Sequence, residues 1–202
     1  LASLRGPANV IADVRKQATR LGRRPEDIQF FQGISPVVGG TESEAQAKRS
    51  EYLEQFSTEG ALAHLSGSIG VDLAAIDLDR PLETININAL RGSVKSLIES
   101  EPDKTQTFRD LTRRRLNGRF VAGTPEQIAD VLQEWQEAGV DGFNLTYSVT
   151  PGTFVDFIDG VVPVLQARGL MQKEYSPGPL RQKIFGNPRL PDRHPAATYR
   201  RS

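Results

Sequence analysis

Apolar positions along this chain fall alternately into helical stripes and short continuous runs. Val10, Ile11 and Val14 recur at helical spacing within Pro7–Leu21, and Gly22 with a polar stretch closes this predicted surface helix. Ile28–Ile34 predicts a strand, with Phe31–Gly39 forming its C-terminal end and the loop beyond. Thr41 to about Phe56 predicts a helix opened by a Thr41/Glu44 capping box, with a thin apolar face of Ala45, Tyr52, Leu53 and Phe56. Phe120–Ala122 is a brief apolar run that stops at Gly123. Thr124 then suits an N-cap, Pro125 a first helical residue and Gln127 the back-bonding partner. Ile128, Val131, Leu132 and Trp135 make one face of that helix apolar, Gly139 suits a left-handed stop, and Val140–Leu145 reads as a mostly buried strand. A strand, helix and strand so closely linked predict a parallel pair with a right-handed crossover. Thr153–Arg168 is the last long helix, broad-faced through Phe154, Phe157, Ile158 and Val161, kinked at Pro163 and ended by Gly169.

The alternation lapses twice. Between residues 60 and 118 lies an insertion of some sixty residues, too long for a plain connection of ~2–6. It holds a Gly/Ser-rich turn (Leu65–Gly70), an acidic stretch (Asp72, Asp77, Asp79) ending at Pro81, and helical patterns at Asn88–Glu99 and Thr107–Leu116. An insertion after a barrel strand suits a lid over a pocket or a packing element. Residues 176–202, rich in Pro and Arg without a period, predict an extended tail suited to wrapping a neighbouring subunit, hence a homo-oligomer. The fold class is therefore α/β. Residues 1–175 supply about three β/α units, whereas a closed eight-stranded barrel takes ~250 residues. The chain opens at Leu1 directly into a helical pattern, and the expectation is the C-terminal part of a (β/α)8 TIM barrel. A natural three-unit domain is the alternative, at the cost of exposed strand edges.

Composition narrows the chemistry. The 202 residues carry 25 Lys plus Arg and 25 Asp plus Glu, so no net charge steers the chain to nucleic acid or a membrane. No apolar run approaches the ~18 residues of a membrane span, and no secretory signal pattern stands at the first residue. With no cysteine, disulfides, thiolate metal sites and cysteine nucleophiles are excluded, and a cytoplasmic setting is the default. His64 and His194 lack partners at ligand spacing, which argues against a histidine metal site. Asp77 and Asp79 beside Pro81 suit a turn better than Mg²⁺ ligands, and Arg113–Arg115 a solvated helix face better than a nucleic-acid contact. Gly39–Gly40–Thr41 lacks the spaced glycines of a P-loop or dinucleotide fingerprint.

What remains is the set of strand ends, where barrels hold their ligands. These are Phe31, Gly33 and Ser35 from one strand, Gly123 and Thr124 from the second, and Phe143, Asn144 and Leu145 from the third. Each also has an ordinary reading: barrel filling for the phenylalanines, turns for the glycines, an N-cap for Thr124.

Four phrases in order carry a resemblance: FQGISPVVGGTESEAQAK (Phe31–Lys48), HLSGSIGVDLAAIDLDRPL (His64–Leu82), VAGTPEQIADVL with GVDGFNL (Val121–Leu145), and VVPVLQARGLMQKEY (Val161–Tyr175). Together they resemble the C-terminal part of bacterial-luciferase-like flavin-dependent monooxygenases, in the nitrilotriacetate and dibenzothiophene-sulfone monooxygenase branch. The resemblance implies reduced FMN supplied by a separate NAD(P)H:flavin reductase, O2 as co-substrate and a small organic substrate. Phe31, Ser35, Gly123, Phe143 and Asn144 are the expected flavin-pocket residues, since a flat, largely apolar ring suits aromatic and apolar walls with few polar groups. Much of the family's flavin site lies in N-terminal barrel strands outside this sequence. Arg119 also stands near a point where relatives often carry histidine, and Arg cannot serve as a base at neutral pH. No catalytic residue is assigned. Two other readings remain: a different barrel enzyme with a phosphorylated ligand at Gly123–Thr124, and a truncated domain that only packs or oligomerises.

Overall fold

A computed structural model describes residues 5–69, 77, 79–84, 103, 105–110, 118 and 120–199. Helix α1 (Arg5–Arg20) leads through a short 3-10 turn at Pro25–Asp27 into strand β1 (Phe31–Val38). Helices α2 (Glu42–Glu54) and α3 (Thr58–Ile69) follow. After the long connection come strand β2 (Phe120–Gly123), helix α4 (Pro125–Glu137) and strand β3 (Gly142–Leu145). The chain continues as helix α5 (Gly152–Asp156), a π-helical turn (Phe157–Val161), helix α6 (Val162–Ala167) and the short helix α7 (Leu180–Phe185).

The three strands form one parallel sheet in the order β2–β1–β3. This corrects the expected direct pairing of the strands on either side of α4: they flank β1 instead. The reason lies in length and burial. β1 has eight residues, and Ile34–Val38 within it are all buried, whereas β2 and β3 have four each. The long apolar strand takes the centre and serves both neighbours in stagger. Phe31–Ile34 pair with β3, and Ser35–Val38 pair with β2.

β1 also starts and ends later than its apolar run suggested, because Pro36 does not stop it. Ile34 O accepts from Thr146 N–H on the β3 side (2.8 Å), and Gly39 N–H donates to Gly123 O on the β2 side (3.1 Å). Strand alternation then turns the nitrogen of Pro36 toward the β3 side, beyond the last β3 pair, so its missing N–H costs no ladder bond.

The helices cover one face of the sheet. Ile34 and Val38 pack with Ile128, Ala129 and Leu132 of α4, Phe157 and Val161 of the π-helical turn, and Leu165 of α6. A second cluster joins Ile11, Trp135 and Val140. Of the stripe expected on α1, Ile11 is buried but Val10 is 60% exposed, so the face is narrower than its apolar residues imply. Asp141 accepts from Arg15 (3.0 Å) and from Phe30 N–H (2.8 Å), which ties α1 to the start of the sheet.

Three further differences concern the irregular regions. The Gly/Ser-rich turn expected at Leu65–Gly70 is helical as far as Ile69; Ser57 Oγ accepts from Gly60 N–H (3.0 Å) at the head of α3, and Leu62 is buried. The break expected at Pro163 takes the form of the π-helical turn just upstream, which loosens the helix where the proline ring would crowd the carbonyl of Asp159. The tail is not wholly extended: α7 and a 3-10 segment at Pro195–Tyr199 interrupt it. The helix predicted at Asn88–Glu99, most of the one at Thr107–Leu116, and Asp72, Arg113–Arg115 and Arg119 lie outside the described residues.

Candidate functional site

Parallel register places paired residues on the same face of the sheet. Phe31, Gly33, Ser35 and Val37 of β1 therefore share a face with Gly142 and Asn144 of β3 and with Phe120 and Ala122 of β2. This face is opposite the helix-packed one. Of the five residues singled out in the sequence, the structure brings Phe31, Ser35 and Asn144 together here. Gly123 and Phe143 lie on the other face: Gly123 is buried at the end of β2, and Phe143 packs between the two apolar clusters. Phe31 and Ser35 also lie at the start and middle of β1, not at its C-terminal end, because the strand runs on to Val38.

The face has an uneven relief. The Phe31 ring lies over Gly142 so closely that a Cβ there would meet it at 2.5 Å, yet the ring is 53% exposed on its outer side. One step along, a Cβ added at Gly33 would meet nothing within 4 Å. Gly33 is thus an exposed, open position on the face it shares with Phe31 and Asn144, with the buried Ser35 next on the same face. The backbone there is open to close approach, beside an apolar ring and an amide that offers both donor and acceptor.

At the C-terminal ends of the strands the chemistry is different. Thr124 caps α4 with a complete capping box: Thr124 Oγ1 accepts from Gln127 N–H (3.3 Å) and Gln127 Oε1 accepts from Thr124 N–H (3.0 Å). Thr41 accepts from Glu44 N–H (3.2 Å), and the Glu44 carboxylate accepts from Gly40 N–H (2.9 Å). Gln127 Nε2 then donates to Glu42 (3.2 Å), linking the two helix heads. Lys48 Nζ donates to Val38 O (3.0 Å) and pairs with Glu44 (3.3 Å) and Asp156 (3.6 Å). Two of the donors a phosphate would use at this helix head, Thr124 N–H and Gln127 N–H, are engaged by the capping box, with Glu42 close by. That argues against the phosphorylated-ligand reading at this position.

These contacts set a pH dependence. The Gly40 N–H, and then Lys48, hold the Glu44 carboxyl below its ordinary 4.5. Hydrogen bonds from Arg109 do the same for Glu59 and for Asp79, whose ordinary value is 3.8. Burial disfavours the charged form of Lys48, but Glu44 and Asp156 outweigh it and raise its pKa above 10.5. A depressed carboxyl contributes stability that is complete above its unfolded value and disappears as pH falls through the folded one. The raised ammonium contributes below its unfolded value and is lost as pH rises through the folded one. Thermal melts should therefore be flat at neutral pH and fall on the acid side below about pH 4.5. A Glu44→Gln variant should show a shallower acid slope; an identical slope would remove Glu44 from this account.

Other candidate groups have structural roles. Asp77 Oδ1 accepts from Asp79 N–H (3.1 Å), and Asp79 pairs with Arg109 (2.7 Å), which also holds Glu59 (2.9 Å). The acidic stretch thus turns the chain and clamps it to α3. No group of three or more His, Cys, Asp or Glu suited to a metal ion occurs among the described residues. No helix among them is long and apolar enough to cross a membrane. One aromatic pair was missed from sequence: Tyr147, just beyond β3, sits against Phe154 with ring centroids 5.9 Å apart and is 59% exposed. Its signal was faint, a single tyrosine in a Ser/Thr turn.

A parallel sheet with helices packed against it makes the chain an α/β protein. The particular family follows from its relatives. Residues 2–142 match the luciferase-like monooxygenase family, and the chain belongs to it. It is 42% identical over 197 residues to dimethyl-sulfide monooxygenase of Hyphomicrobium sulfonivorans, covering 95% of this chain and 41% of that protein. The crystal structure of DmoA from the same organism superposes with a TM-score of 0.78 at 39% identity, covering 99% of this chain and 43% of that one. Riboflavin lyase, solved with modified FMN and riboflavin, superposes with a TM-score of 0.79 at 29% identity over 100% of this chain and 45% of its own. The branch expected from sequence is represented by dibenzothiophene-sulfone monooxygenase of Rhodococcus erythropolis (35% identity) and nitrilotriacetate monooxygenase component A of Aminobacter aminovorans (33%), each covered to 40% of its length. The chain spans about two-fifths of the curated relatives it matches.

Proposed function

We propose that the chain forms part of a (β/α)8-barrel monooxygenase that uses reduced FMN and O2 to oxygenate a small organic substrate. The flavin comes from a separate NAD(P)H:flavin reductase, as the "component A" of one relative suggests. The single observation that carries this reading is the family match over residues 2–142, supported by the open backbone at Gly33 beside Phe31. The outer edges of β2 and β3 have no strand partner among the described residues, as expected of strands that continue into a larger sheet. The protein is cytoplasmic and a homo-oligomer, for which the exposed Val155 and Ile158 offer an apolar contact. Residues 60–118 are an insertion between two β/α units, and 176–202 are a tail that contacts a neighbouring subunit.

Reduced flavin, when bound, supplies the electrons and the reaction with oxygen; the protein's part is positioning and exclusion of water. Phe31 would give the flavin an apolar wall, Asn144 would offer it a donor and an acceptor, and Gly33 would leave the backbone free for close approach. Gly123 and Phe143 hold the strands that carry these groups. The substrate is a small sulfide, the type named for the first relative above.

The test is an anaerobic titration with reduced FMN, followed by oxygen uptake with reductase, NADH and dimethyl sulfide. We expect saturable flavin binding, and substrate-dependent uptake above that of free flavin. Gly33→Val puts a side chain into open space on a strand where valine is favoured, so it should fold normally and weaken flavin binding at least about tenfold. Equal binding by this folded variant would remove the face from the flavin site. Uptake that never exceeds free-flavin oxidation would remove the monooxygenase assignment.

A further inference from the structure

We propose that the cleft between the C-terminal tail and the turn after α1 is a binding site for a multiply charged phosphate, separate from the sheet face. The cleft encloses about 800 Å³. Its wall is formed by Arg23, Arg24 and Asp27 from the turn, and by Arg181, Arg189 and Arg193 from the tail. Five guanidinium groups thus face one carboxylate among the described lining residues.

That carboxylate is already engaged. Asp27 accepts from Arg24 Nε and Nη2 (3.2 and 3.1 Å), and Arg193 pairs with it from the opposite wall. Arg193 also reaches Gly22 O (3.4 Å), so one arginine of the tail closes the cleft against the body of the protein. Arg23, Arg181 and Arg189 make no ion pair with Asp27. Arg23 reaches only the Asp27 backbone carbonyl (3.4 Å), and the Arg181 guanidinium lies over the Phe185 ring at 4.7 Å. The Nε of Arg181 is buried and has no hydrogen-bond partner. Like charges held around one cavity repel, and an oxyanion that enters the cleft relieves that repulsion.

The shape of the donors favours phosphate. Guanidinium forks bind tetrahedral oxyanions in pairs, and several forks around one cavity suit more than one phosphate group. His194 adds a donor: its Nδ1 accepts from Ala196 N–H (3.1 Å), so neutral His194 carries its proton on Nε2. Phe185 and Pro191 supply an apolar side for the organic body of a larger ligand. Net neutrality of the whole chain hid this site in the sequence, because the arginines come from segments more than a hundred residues apart in order.

The test is isothermal titration of the chain with pyrophosphate, with orthophosphate and ADP as separate arms. One pyrophosphate per chain is expected, bound more tightly than orthophosphate and weakened as salt rises. Tighter binding of ADP than of pyrophosphate would identify a nucleotide as the natural source; equal binding would identify free polyphosphate. Arg23→Gln with Arg189→Gln changes two exposed side chains, leaves the Asp27 pairs in place, and should weaken pyrophosphate at least about tenfold. Absence of binding, equal affinity in the folded double variant, or salt-sensitive self-association that pyrophosphate does not reverse would each overturn the proposal.

Discussion

Gly39→Ala is expected to destabilise the chain by about 3 kcal/mol, near the top of the range for overpacked interiors. A Cβ at this position would lie 2.4 Å from Ala45 N, 2.8 Å from Thr41 O and 2.9 Å from Ala45 Cα. All three are backbone atoms at the head of α2, so no side-chain rotation relieves the clash. Nor can the head of the helix retreat. Gly39 N–H is fixed to Gly123 O, Glu44 holds Gly40 N–H, and Lys48 is fastened to Val38 O. Moving α2 would break these bonds and uncover Ala45, which has no exposed surface. The glycine is needed for close approach rather than for an unusual backbone angle. At ~2–4 °C per kcal/mol for a chain of this size, the melting temperature should fall by roughly 6–12 °C. Gly33→Ala is the internal control, since its Cβ meets nothing; it should stay within about 0.5 kcal/mol of the parent. If the two variants melt together, the packing of α2 on the end of β1 is looser than these distances imply.

The contrast between these glycines shows what a sequence discloses and what it withholds. Where signals were local, they were readable. The Thr124–Pro125–Gln127 cap and the apolar stripe of α4 are set by residues within one or two turns of each other, and the structure has them as expected. Strand order was not readable, because adjacency in sequence favours pairing β2 with β3, while burial gives the centre to β1. Pro36 hid the true length of β1, since whether a proline interrupts a strand depends on which neighbour its nitrogen faces. The same holds for the candidate site. Phe31, Ser35 and Asn144 share a face by register alone, and a register is a long-range fact. Phe143 differs from Asn144 by one residue and therefore faces the opposite way. The strand-end rule chose residues from both faces of the sheet, because it carries no register.

Phe157→Ala should cost about 3–5 kcal/mol, the usual range for removing a buried aromatic ring. Phe157 is 6% exposed and sits where the helix leaves α geometry, with Val161 and Leu165 following at intervals of four. A strict α-helix turns about 40° too far at each such step, so residues four apart drift around its surface. The wider π-helical turn takes up part of that drift. Phe157, Val161 and Leu165 thereby face Ile34, Val38 and Ile128 together, while Ile158 remains 56% exposed. The ring fills the space between the sheet and the turn that Pro163 provokes, and neither wall can collapse into the gap without losing the others' contacts. Phe157→Leu keeps much of the volume and should cost less than half as much, whereas Ile158→Ser should stay within about 0.5 kcal/mol. Urea denaturation followed by Trp135 fluorescence measures all three, since Phe143 packs against both clusters and links the indole to this core. Equal losses for Phe157→Ala and Ile158→Ser would mean that the π-helical turn does not set which side of the helix faces the sheet. The opposite ranking would mean that the turn is shifted by one residue, with Ile158 and not Phe157 turned toward β1.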